Sequence, residues 1–73
     1  MVIFNVQDFG NYVKKARKFS RLTQAQLAAV SNTGVRFIRE IEKGKPSCQI
    51  AKAFYVAQIL GIKIHLEDPN NVK

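Results

Sequence analysis

Seventy-three residues make one small domain, whose core supplies only a few kcal/mol, on the order of 3–5, without a covalent staple. The lone cysteine, Cys48, cannot close an internal disulfide, and no group of Cys, His and carboxylate residues has zinc-ligand spacing, so no disulfide framework and no metal are expected. Twelve Lys and Arg against five Asp and Glu give +7, and of the acids only Glu40 and Glu42 lie between Lys14 and Lys63, where every basic residue but Lys73 is found. Such a field favours a polyanion, nucleic acid before an anionic membrane surface.

No apolar run approaches the roughly 18 residues that span a bilayer, and "MVIFNVQDFG" lacks the basic start and long apolar core of a signal peptide. The expectation is a soluble, cytoplasmic protein with no membrane contact.

In chain order, "VIFNV" reads as a short leading strand, after which Asn5 can cap a first helix with Asp8 answering three residues on. This helix should run to Phe19, with Phe9, Tyr12, Val13, Ala16 and Phe19 inward and Lys14, Lys15 and Lys18 outward. "TQAQ" is a capping box that starts a second helix at Gln24, ending near Val30. In "SNTG", Asn32 tolerates a left-handed backbone and can end helix two, and Gly34 can take the unusual geometry that opens helix three. Helix three is expected over Val35–Lys43, stopped by Gly44 and Pro46.

Ser47 can cap a fourth helix with Ile50, Phe54, Ala53 or Ala57, and Leu60 on its inner face, ending at Gly61. "IKIHL" alternates, Ile62, Ile64 and Leu66 against Lys63 and His65, and reads as a strand; "EDPNNVK" is polar tail. The expected domain is 1–68, with 69–73 a disordered tail, and no repeat or linker divides it.

The segment Leu22–Pro46 resembles the phage-repressor-type helix–turn–helix. It matches that pattern at Leu22, Thr23, Gln24, Leu27, Ala28, Ile38, Ile41, Glu42 and Gly44, and departs from it in the turn, where Asn32 replaces the usual glycine and Gly34 the usual capping hydroxyl. With "FIREIEKGKP" followed by a short strand in place of a fifth helix, the chain is similar to HipB-type antitoxins over about Phe9–Asp68. The resemblance implies an all-α fold of four helices with a short C-terminal strand used in dimerisation. It also implies a homodimer that binds operator DNA, represses its own operon and partners a HipA-type kinase toxin, nucleoid-associated when on its operator. Arg17 and Glu42 match the family's internal ion pair, and Thr23 and Gln24 its backbone-gripping pair.

DNA chemistry can be assigned from the helix faces. Phe37, Ile38 and Ile41 must face the core, which leaves Val35, Arg36, Arg39, Glu40 and Lys43 for the groove. Arg36 can give guanine O6 and N7 two hydrogen bonds, Glu40 can accept from cytosine N4 or orient Arg36, and Val35 can meet a thymine methyl or simply cover the core edge. Phosphate contacts are expected from Arg21, Thr23, Gln24, Gly34, Arg39, Lys43 and Lys45. Ile62, Ile64 and Leu66 need a covering surface, which the same strand of a second protomer can supply.

No nucleophile–base–orienter set, phosphate loop or paired carboxylates is present, so no enzyme and no cofactor is expected. A stand-alone phage-type repressor fits the DNA-facing helices equally well. An RNA-binding module would need exposed aromatic platforms, whereas Phe9, Phe19, Phe37 and Phe54 are all expected on core stripes.

Overall fold

A computed structural model describes residues 5–46 and 49–63. It contains four helices, α1 (Val6–Phe19), α2 (Gln24–Val30), α3 (Val35–Glu42) and α4 (Ile50–Ile59), and no strand occurs among the described residues. Asn5 caps α1 by accepting a 2.8 Å hydrogen bond from the Asp8 backbone N–H. Asn5 and Val6 therefore begin a helix rather than close a strand; the rest of the leading segment, like Ser47, Ile64 and Leu66, lies outside the described residues.

All four helices end in the same hydrogen-bonded turn, in which a left-handed residue lets the next N–H reach back to a carbonyl of the last helical turn. The left-handed residues are Arg21, Asn32, Gly44 and Gly61, with φ of 61°, 56°, 75° and 79°. The reaching bonds run from Leu22, Thr33, Lys45 and Ile62 to Arg17, Ala28, Glu40 and Ala57, at 2.9 to 3.1 Å. Asn32 and Gly44 suit this geometry chemically; Arg21 does not. Gly34, by contrast, has φ −95° and ψ 153°, ordinary extended backbone, so no unusual geometry opens α3.

Val13, Leu27, Ala28, Ile38, Ile41, Ala53, Val56 and Ala57 form the core, with Phe9, Leu22, Phe37, Leu60 and Ile62 packed around it. α3 lies against both α1 and α2. Gly10 makes the first contact possible, because a Cβ there would collide with the carbonyl oxygen of Ile41. Ser31, buried in the turn between α2 and α3, donates to the Leu27 carbonyl at 2.7 Å and is 2.9 Å from the Thr33 hydroxyl. Among the described residues no buried polar side chain is left unsatisfied at the corner.

Three of the expected inward residues point out. Phe19 is 89% exposed, because the left-handed Arg21 folds Leu22 back over the core at the end of α1. On α4 the buried stripe is Ala53, Val56 and Ala57, while Ile50 and Phe54 are 65% and 47% exposed. A helix with apolar residues on more than one face does not reveal its inner face by periodicity. α4 turns Ala53, Val56 and Ala57 in and its larger Ile50, Phe54, Tyr55 and Ile59 out. With Phe19 and Phe54 exposed, buried aromatics no longer argue against RNA.

Candidate nucleic-acid interface

The candidate interface is built on α2, α3 and the turn between them. Thr23 opens α2 with a complete capping box: its hydroxyl oxygen accepts from the Gln26 N–H at 3.0 Å, and its own N–H donates to the Gln26 side-chain oxygen at 2.8 Å. The Thr23 O–H remains a donor for an outside acceptor. Gln24, half-buried, is turned inward, and its amide nitrogen donates to Glu42 Oε1 at 3.0 Å.

Glu42 is the centre of this network. Arg17 donates to it from Nε at 2.6 Å and from Nη2 at 3.1 Å, and sends Nη1 to the Leu22 carbonyl at 2.8 Å. Both charged side chains are buried. The ion pair thus joins α1 to the end of α3, Gln24 ties in the start of α2, and the Leu22 carbonyl ties in the turn between α1 and α2. Charge-assisted, two-point geometry of this kind fixes orientation as well as distance. It sets how α2 and α3 are presented together.

On α3 the exposed side chains are Val35, Arg36 and Arg39, with Lys43 following at the helix end and Glu40 half-buried. Arg36 Nε lies 3.3 Å from Glu40 Oε2, one turn along, and Lys45 Nζ lies 3.9 Å from the same oxygen. Arg21 and Lys45 are exposed on flanking turns. Gly34 caps α3 without a side-chain bond, and nothing lies within 4 Å of where its Cβ would be. Ile62 packs against this chain's own core, so one of the three expected interface residues is already partly covered.

Sequence reasoning missed the left-handed Arg21 and the inward turn of Gln24. "FSRL" contains neither Gly nor Asn to signal a left-handed turn, and a Gln at a helix start reads equally as capping or contact. Among the described residues there is no group of three or more His, Cys, Asp or Glu able to hold a metal, and no helix long and apolar enough to cross a membrane.

Comparison with protein-family models gives no match. A curated protein of Sinorhizobium fredii (strain NBRC 101917 / NGR234), named "Uncharacterized HTH-type transcriptional regulator y4mF", is 44% identical over 62 residues, covering 85% of this chain and 82% of that protein. The chain belongs to the HTH-type transcriptional regulators. As a member of that family it is a DNA-binding regulator and not an enzyme. Its fold is that of HipB. Solved structures described as "MDT Protein" and "Structure of HipA-HipB-O2-O3 complex" each superpose with a TM-score of 0.84 at 22% identity, over 94% of this chain and 97% of theirs. A "HipB-O4 20mer complex" gives the same values.

Proposed function

We propose that this HTH-type regulator is a sequence-specific antitoxin of the HipB kind, a homodimer that represses its own operon and binds a HipA-like kinase toxin in the cytoplasm, nucleoid-associated when on its operator. The observation that carries this is the end-to-end likeness to HipB, 94% of one chain on 97% of the other, joined to an α3 that exposes Arg36, Arg39 and Lys43 on one surface. One of those solved structures is, by its own description, a complex of HipA and HipB.

Arg36 and Val35 then face base edges, with Glu40 beside Arg36 one turn along, and Arg21, Thr23, Gln24, Gly34, Arg39, Lys43 and Lys45 face phosphates. Gln24 acts with its amide anchored on Glu42, so it presents the start of α2 as much as it touches DNA. The dimer forms through the segment holding Ile62, Ile64 and Leu66 together with the outer face of α4. That helix carries a single charge, Lys52, and Lys52 is drawn back over the Phe37 ring at 5.9 Å. Ile50, Phe54, Tyr55 and Ile59 are exposed on α4 with Gln58 among them, an uncharged, largely apolar surface on which two +7 chains can meet without repulsion. Helix one, with Lys14 and Lys18 exposed, stays free for an acidic surface of the toxin.

A stand-alone repressor is the second reading, favoured by the 44% identity to a protein named only as a transcriptional regulator. Co-purification with the product of the neighbouring gene separates the two. A kinase-like neighbour that co-elutes at micromolar concentration supports the antitoxin; separate elution, or no such neighbour, leaves the stand-alone repressor.

A further inference from the structure

Glu40 is an anomaly on its surface. Of the other carboxylates among the described residues, Glu42 is buried in its ion pair and Asp8 sits in the first turn of α1. Glu40 is thus the one carboxylate on the exposed side of α3, in a +7 chain whose partner is itself an anion. Placed there it repels phosphate, and Arg36 and Lys45 both lean toward the same oxygen, Oε2, at 3.3 and 3.9 Å. The Arg36 side chain is 86% exposed, that of Glu40 only 28%. The carboxylate is the fixed member of the pair and the guanidinium the movable one.

We propose that Glu40 is a positioning residue that sets DNA discrimination by holding Arg36 at its Nε edge. The Glu40 bond uses Nε alone, and among the described residues Nη1 and Nη2 donate to nothing. Those two nitrogens form the end of the guanidinium fork, whose parallel donors match O6 and N7 of guanine. A guanine at the right step receives both donors while Nε stays on Glu40. A phosphate can accept from the same two nitrogens, but it then brings its own negative charge beside the Glu40 carboxylate, a repulsion that the neutral guanine edge does not meet. Exposed to water the pair is weak. In a groove cleared of water it strengthens, so the penalty falls on mismatched sites more than on matched ones.

This inference rests on the operator-binding reading, and one experiment distinguishes their failures. A duplex is selected by the full wild-type chain from a random pool, and a scrambled duplex of equal composition serves as reference. Wild type, Glu40→Gln, Arg36→Ala and the double variant are titrated on both at several salt concentrations. Ratios of the two affinities are compared, because a loss of folded fraction cancels in them. Glu40→Gln is expected to bind scrambled DNA more tightly and to lower the ratio about fivefold to tenfold, within what one bidentate guanine contact supplies. On the Arg36→Ala background the same change lowers the ratio no further. An equal change on both duplexes reduces Glu40 to bulk charge, and a ratio loss that persists without Arg36 makes it a base reader; either overturns the proposal. A wild type that selects no site overturns operator binding itself, and this inference with it.

Discussion

Arg17 and Glu42, 25 residues apart in sequence, meet in a buried two-point ion pair that also collects Gln24. Removing one partner leaves the other charged and unpaired away from water, a loss of roughly 3–5 kcal/mol, comparable with the whole stability of a domain this small. Glu42→Gln should therefore be largely unfolded in a urea titration that leaves the wild type folded. A melting temperature within about two degrees of wild type would make the pair dispensable.

Arg21 holds a left-handed backbone, φ 61°, that costs a side-chain-bearing residue roughly 1 kcal/mol. Arg21→Gly relieves this cost and removes a charge from the proposed phosphate surface. The variant should melt higher than wild type yet bind DNA more weakly, its salt slope shallower by about 0.9. A lower melting temperature, or an unchanged slope, would separate Arg21 from that role.

Most of the helical frame could be read from residue chemistry: Asn5, Thr23, Asn32 and Gly44 each have a local preference for the position they occupy. The end of α1 could not, because Arg has no such preference. Nor could the phase of α4, where "IAKAFYVAQI" carries apolar residues on more than one face, interrupted only by Lys52 and Gln58, and packing selects Ala53, Val56 and Ala57 for the inside. On the candidate interface, the exposed stripe of α3 follows from its helical period. The inward turn of Gln24 depends on Glu42, 18 residues away, and no local pattern reports it.

The outer face of α4 should carry the dimer. Phe54, 47% exposed on that face, is not among the described residues that pack around the core, so Phe54→Glu should leave the monomer folded while placing charge at the apolar contact. Sedimentation of the variant at micromolar concentration should show monomers with wild-type helical content. A persistent dimer would take the outer face of α4 out of the interface and leave it to the segment holding Ile62, Ile64 and Leu66.

The measurement that bears most directly on DNA reading by α3 compares Arg36→Ala with Lys43→Ala on the selected and the scrambled duplex across a salt series. Arg36→Ala should lose affinity for the selected duplex by roughly 1–3 kcal/mol, with a much smaller loss on the scrambled one. Lys43→Ala should weaken both duplexes alike and lower the salt slope by about 0.9, the signature of one released counterion. If Arg36→Ala instead weakens both duplexes by the same factor, α3 binds DNA without reading it through Arg36, and the assignment fails.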